Sequence, residues 1–359
     1  MTRCFLGVDV GSVSTNLVAT DEEGRILHKI YLKTEGQPIR ALRRSMEALR
    51  EMAELPSLRV AGVGATGSGR QLAGTLLGAD LIKNEITAHA VAARHCVPDV
   101  RSVIEIGGQD SKLILMENGV VRDFAMNTVC AAGTGSFLDR QAARLNVPIE
   151  ELGTLALSSV HPVSIAGRCA VFAESDMIHK QQTGHATPDI VAGLCAALVR
   201  NYMNNLAKGK RVLPPVVFQG GVAANRGMVE AFRRELGYPV IVPEHYDMMG
   251  ALGVALLARN EWKQTGRETR FAGFGWTDHR YETHSIECDG CENRCEIARI
   301  DRDGVPAAYW GGRCGRWEGR AGQESPERAA GVSPNPKGGF PPSRNPRSAR
   351  QGCFHRAEK

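Results

Sequence analysis

The chain has 359 residues, 43% of them hydrophobic and 23% charged, enough for two domains or one bilobal unit with a packed core. Aromatics at 6% and 40 glycines favour many tight turns over an aromatic-rich all-β sandwich. The net charge of +5 sits wholly in residues 319–359, with eight basic side chains against three acidic; the rest carries 36 of each, so no basic field points to nucleic acid.

In chain order, three short apolar runs at 4–10, 14–20 and 25–33 predict a β-meander, with GSV and DEEG as turns. A helix is predicted over 38–53, with Ile39, Leu42, Met46 and Leu49 on one face, then a strand at 58–63. A second meander is predicted at 102–106, 112–116 and 120–125, turning at Glu117-Asn118-Gly119. Helices at 133–145 and 187–207, a strand at 216–219, a helix at 223–236, a strand at 239–242 and a helix at 248–259 complete the pattern. Two meanders that each open with a Gly-rich turn imply an internal duplication, with two like α/β lobes around a cleft. The expected division is lobe I at 1–100, lobe II at 101–260, a Cys-rich metal module at 261–318, and a disordered tail at 319–359 with six Pro and six Gly.

The start of the chain has no signal-peptide pattern, and no apolar run approaches the ~20 residues of a membrane span. A cytoplasmic protein without a membrane partner is expected. In that compartment ten cysteines point to metal or redox chemistry rather than disulfides.

Two segments share one logic. In LGVDVGSVST and VIEIGGQDSK, a strand carries a single acid (Asp9 or Glu105), then glycines and small polar residues follow. Glycine lets backbone N–H groups approach phosphate oxygens. Gly11, Ser12, Ser14 and Thr15 in the first turn, and Gly107, Gly108, Gln109 and Lys112 in the second, are candidate phosphate contacts. A carboxylate beside phosphates needs a cation between them, so Asp9 and Glu105 or Asp110 are expected to hold Mg²⁺, through its waters. A third glycine pair, Gly220-Gly221 followed by Asn225, suits an adenosine. The P-loop signature G-x-x-x-x-G-K-[ST] is absent. The GVGATG run at 62–67 is a weak dinucleotide signal, placed after a meander rather than at the opening of a βαβ unit; a structural turn is the favoured reading.

Cys130 precedes the small-residue turn containing Gly133, Thr134 and Gly135, which are further candidate nucleotide contacts, and a thiol near a helix N-terminus is favoured as thiolate. Cys169 follows Arg168. Either is a candidate iron ligand or nucleophile. Cys288-x2-Cys291-x3-Cys295, followed eighteen residues later by Cys314, is a metal-type spacing, with iron–sulfur and zinc both open.

The runs GVDVGSVSTNLV, ATGSGR, NEITAHA, IEIGGQDSK, NTVCAAGTGSFLD, GRCAVFAES and VVFQGGVAANRGMV, spread in order over about residues 4–260, resemble the BadF/BadG/BcrA/BcrD ATPases. These are activators of 2-hydroxyacyl-CoA dehydratases and nucleotide-binding subunits of benzoyl-CoA reductases. The resemblance implies an actin/hexokinase/Hsp70-like bilobal fold that binds ATP/ADP and Mg²⁺. It also implies a homodimer sharing one [4Fe–4S] cluster, with Cys130 and Cys169 as this chain's ligands, in an anaerobic electron-transfer system. A ferredoxin or flavodoxin would supply electrons, and a dehydratase or reductase with its own iron–sulfur centre would receive them. Asn16 stands where many members have Lys, and Glu105 where Asp is usual. CDGCENRCEI and WGGRCGRW resemble the opening of the extra domain of long activase-like proteins, so the chain reads as the N-terminal part of a long form. The rival readings are a small-molecule kinase of the same fold, with Asp110 as base, and a non-redox ATPase module.

Overall fold

The computed structural model describes residues 2–52, 58–127, 129–314 and 316–317. The tail expected at 319–359 lies outside them.

The first sheet contains β1 (Thr2–Val10), β2 (Ser14–Thr20), β3 (Ile26–Lys33), β4 (Leu58–Thr66) and β5 (Leu81–Ile82), in the order β3-β2-β1-β4-β5. β1, β2 and β3 pair antiparallel, whereas β4 and β5 join parallel. The second sheet contains β6 (Ser102–Ile106), β7 (Ser111–Glu117), β8 (Val120–Asn127), β9 (Val216–Gln219) and β10 (Val240–Ile241). Its order, β8-β7-β6-β9-β10, repeats the first in both sequence and sense. This is the duplication expected from the two meanders, and it makes Glu105 on β6 the counterpart of Asp9 on β1.

Central strands are apolar on both faces because both faces are covered. Phe5, Leu6, Val8 and Val10 of β1 are all buried, and so are the five residues of β6. α1 (Pro38–Met52) buries Ala41, Leu42, Ser45, Met46 and Leu49, a stripe at helical spacing against the first sheet. α2 (Arg70–Leu77) follows β4, and α3 (Glu85–Cys96) is capped by Asn84, whose side chain accepts the Thr87 N–H at 2.9 Å. The second lobe adds α4 (Gly135–Leu145), α5 (Ile149–Leu157), α6 (Ala170–Gln182), α7 (Thr187–Leu206) and α8 (Arg226–Leu236). Their apolar faces form a core with β6 and β9 through Phe218, Phe232, Leu198 and Tyr202.

α9 (Met249–Thr265) departs from the expected division, which counted it with lobe II. It packs on β1 and β4 of the first sheet and against α3. Glycines permit this close approach: a Cβ at Gly7 or Gly64 would meet the backbone of α9, and one at Gly253 would meet the Ala88 carbonyl of α3. The GVGATG run therefore has a structural use, since Gly64 belongs to that contact. α3 and α9 also share a buried layer with Val103, Ile114 and Val217 of the second sheet, so both helices lie where the lobes meet.

β11 (Tyr281–Glu287), β12 (Glu296–Arg302) and β13 (Val305–Trp310) form a third, antiparallel sheet. Ile300 and Trp276 tie it to the core of the first lobe, and Cys288, Ile297, Tyr309 and Trp317 make a small core of their own. Among the described residues no helix is long and apolar enough to cross a membrane.

Candidate functional site

A cleft of about 690 Å³ opens between the two lobes. Asp9, Gly11, Ser12 and Ser14 line it from the first turn, and Glu105, Gly107, Gly108, Gln109, Asp110 and Lys112 from the second. Gly135, Gly220, Gly221 and Asn225 close it from the second lobe. Three expected contacts do not line it. Thr15 is fully buried and shares a 3.0 Å hydroxyl hydrogen bond with Thr34, which in turn donates to the Gly11 carbonyl at 2.9 Å; Thr15 supports the turn from behind. Gly133 packs against Asn201 and Asn127, and the Thr134 hydroxyl donates to the Ala131 carbonyl at 2.8 Å.

The two lobes treat their acids alike. Gly67, after β4, has φ +91°, and a Cβ there would press on Asp9 and the Val10 carbonyl. Gly220, after β9, has φ +88°, and a Cβ there would press on Glu105 and the Ile106 carbonyl. Left-handed glycines thus let each chain turn directly over the acid of its lobe.

Lys112 is the centre of charge. Its Nζ donates to Glu85 at 2.9 Å, Glu105 at 2.9 Å and Asp110 at 2.8 Å, and its side chain is 3% exposed. Burial opposes its charge, but the three carboxylates outweigh burial and raise its pKa. Asp9 is pushed up to about 7, first by burial and then by Glu85. Glu105 is also pushed up to about 7 by burial, against the downward pull of Lys112. Four carboxylates against one ammonium leave an excess of negative charge that a divalent cation bound to phosphates would neutralise. Asp9, Glu105 and Asp110 are the cleft carboxylates placed to hold such a cation. The fit to a nucleotide also shows in unpaired atoms. Asn225 accepts the Met228 N–H with Oδ1, capping α8, while its Nδ2 has no partner; Asn16 Oδ1 is also unpaired.

Glu85, His89, Lys33 and Glu150, which lie outside the glycine turns, line the same cleft. Glu85 and His89 sit one turn apart on α3, the two polar side chains on a face otherwise built of Ile86, Ala90 and Ala93. That spacing was the available signal. His89 is held near pKa 3 by burial and then by Lys112, and its Nδ1 lies 2.8 Å from Gln219 Nε2, so the ring accepts that bond.

Cys130 and Cys169 are both half-buried and both precede a helical turn: Cys130 before the 3₁₀ turn Ala131–Gly133, Cys169 as the N-cap residue of α6. Asn127 clasps the Cys130 backbone, accepting its N–H at 2.9 Å and donating to its carbonyl at 2.8 Å. Asn201, buried on α7, bridges the two segments. Its Nδ2 donates to the Gly167 carbonyl at 2.7 Å and lies 4.0 Å from Cys130 Sγ. Val129, next to Cys130, and Val171 and Phe172, just after Cys169, are 96%, 69% and 68% exposed, large apolar side chains left uncovered beside both thiols.

The metal site expected at Cys288, Cys291, Cys295 and Cys314 is not assembled among the described residues. Cys288 is buried beneath Trp317, Cys295 is half-buried, and Cys291 and Cys314 are exposed. Hydrogen bonds from Trp317 and from the Gly290 N–H lower the Cys288 pKa.

Residues 6–258 match the model of the BadF/BadG/BcrA/BcrD ATPase family. The chain is 35% identical over 266 residues to the 2-hydroxyisocaproyl-CoA dehydratase activator of Clostridioides difficile, covering 74% of this chain and 98% of that protein. It is 37% identical over 259 residues to the (R)-2-hydroxyglutaryl-CoA dehydratase activating ATPase of Acidaminococcus fermentans, covering 72% and 98%. The solved structure of the activator of the 2-hydroxyisocaproyl-CoA dehydratase from Clostridium difficile, with ADPNP bound, superposes with a TM-score of 0.66 at 33% identity, over 73% of this chain and 97% of that one. The duplicated lobes are thus shared with this activator, and the chain belongs to the BadF/BadG/BcrA/BcrD ATPase family.

Proposed function

We propose that the chain is an ATP-driven electron donor that works as a homodimer. ATP and Mg²⁺ bind in the cleft; Cys130 and Cys169 of two copies hold one shared [4Fe–4S] cluster; the electron goes to an iron–sulfur dehydratase or reductase component. A ferredoxin or flavodoxin returns the donor to its reduced state. A cubane needs four thiolates, each chain brings two, both beside exposed apolar side chains, and a two-fold axis doubles them. The cluster, when bound, supplies one-electron chemistry at low potential.

One observation carries the reading: the phosphate turn and the thiol segment are physically joined. The Gly135 and Ser136 N–H groups donate to the Gly107 and Gly108 carbonyls, both at 2.9 Å, and the Ser136 hydroxyl adds a 2.6 Å bond to Gly108. Gly135 opens α4 five residues after Cys130. Any shift of the second phosphate turn is therefore passed to the start of α4 and the Cys130 turn. The Gly107–Gly108 turn would hold phosphate, Asp9 and Glu105 would hold a hydrated Mg²⁺, and Lys112 fixes Glu105 and Asp110 in place. Nucleotide then acts to the extent that it binds the two lobe arrangements unequally.

The test is Cys130→Ala in the full chain. It should keep nucleotide binding and ATP hydrolysis and lose ATP-dependent reduction of the partner. Electron transfer that survives the substitution would overturn the reading.

A further inference from the structure

We propose that Cys288 and Cys295 form a reversible redox pair at the tip of the β11–β12 hairpin, a modification site separate from the nucleotide cleft and from Cys130 and Cys169.

The argument starts from register. β11 and β12 are antiparallel, with Ile286 opposite Ile297 and Glu287 opposite Glu296. One step further out, Cys288 falls opposite Cys295, and the Cys288 N–H donates to the Cys295 carbonyl at 2.8 Å. Side chains alternate along a strand, so both cysteines share the face of Ile286 and Ile297. The packing agrees: Cys288 and Ile297 are in the small core with Tyr309 and Trp317, and Ile286 and Cys295 pack against it. Directly opposed residues of an antiparallel pair have Cα atoms roughly 4.5–5.5 Å apart. A disulfide spans Cα separations of about 4.4–6.8 Å. The register therefore sets the two cysteines on one face at a backbone separation that a disulfide can span. Cys291 lies exposed in the connection and Cys314 lies exposed beyond β13, so the hairpin itself selects one pair from four thiols.

The chemistry balances with hydrogen peroxide as oxidant. One thiol attacks peroxide; the O–O bond breaks, a sulfenic acid forms and one water leaves. The second thiol attacks that sulfur; the S–O bond breaks, the S–S bond forms and a second water leaves. Two thiols have lost two electrons and two protons, and one peroxide has become two waters. A thiol reductant reverses the result by exchange. Oxidation closes a covalent ring over 288–295 in a sheet that rests on the first lobe through Ile300.

The sequence makes the test direct. Arg280, Arg294 and Arg299 are tryptic sites, so Cys288 and Cys295 fall on the separate peptides 281–294 and 295–299. The reduced full chain is treated with a small excess of hydrogen peroxide, remaining thiols are alkylated, and the digest is mapped by mass spectrometry. The two peptides should appear joined, separate on adding dithiothreitol, stay joined in Cys291→Ser and Cys314→Ser, and be lost in Cys288→Ser and Cys295→Ser. Cys291 shares the 281–294 peptide with Cys288, so fragmentation of the joined wild-type peptides assigns the linked sulfur, whatever the variants' folding; a Cys291–Cys295 link would overturn the proposal. A link lost in Cys291→Ser, unlinked peptides, or zinc or iron bound in the reduced chain that shields all four thiols would each overturn the proposal.

Discussion

Replacing Lys112 with Met removes the ammonium that sits among three carboxylates at 2.8–2.9 Å. Lys112 and Glu105 are 3% and 6% exposed, so water screens the lost charge poorly there, while Asp110 at 32% keeps some solvent contact. Removing one partner of a buried pair costs about 3–5 kcal/mol. A whole domain has roughly 5–15 kcal/mol of stability, so the variant should still fold, with a large deficit. The deficit should depend on pH. Lys112 pulls the Asp9 and Glu105 pKa values down against burial, and both still stand at about 7. Without Lys112 both rise further, so the folded variant keeps protons that the unfolded chain releases. An acid raised in the folded state loses stability as pH climbs from its unfolded value to its folded one. Urea unfolding of the nucleotide-free protein should therefore show a small loss near about pH 5.5 and the larger loss near about pH 8.5. Equal losses at both would refute the buried-cluster account.

The wild-type chain should show the same sign more weakly: with Asp9 and Glu105 both near 7, their contribution falls as pH rises from the ordinary carboxylate range through 7. Thermal scans without nucleotide would reveal this as a slope that Glu105→Gln flattens, and an unchanged slope would contradict it. Asn225→Ala should lose about 1 kcal/mol with the α8 cap. Asn225→Asp keeps the cap but not the free Nδ2, so it should retain stability and still bind nucleotide more weakly; equal affinity by calorimetry would refute that role for Asn225. Gly253→Ala normally gains about 1 kcal/mol of helix propensity. Here a Cβ would meet the Ala88 carbonyl backbone, so overpacking of about 1–3 kcal/mol should win and chemical denaturation should show net destabilisation.

The parts of the fold that were legible in the sequence are those where one strand and its turn determine the outcome. Period-two apolar runs around GSV and ENG located both meanders, and the paired acids Asp9 and Glu105 marked equivalent positions in them. What escaped depends on contacts distant in sequence. α9 reads as a continuation of the second lobe, yet Gly7 and Gly64, nearly two hundred residues earlier or more, provide the groove it fills. Glu85 lies in the NEITAHA run, but its place beside Lys112 appears only once α3 lies where the lobes meet. Adjacency makes Thr15, Gly133 and Thr134 look like ligand contacts, whereas turn geometry directs the two hydroxyls into supporting bonds and packs Gly133 against Asn201 and Asn127. The C-terminal cysteines show the limit of spacing: the pattern counts four thiols, whereas the ladder register that sets Cys288 against Cys295 appears only in the folded hairpin.

The central claim is that two thiols from each of two chains hold one cluster. Iron and sulfide should be measured on the anaerobically purified full chain together with its mass in solution. About two irons per chain in a dimer are expected, as four thiolates per cubane require. The iron should be lost in Cys130→Ser and in Cys169→Ser and kept in Cys288→Ser. An iron-free monomer that still hydrolyses ATP, or iron that survives both of those substitutions, would contradict the account.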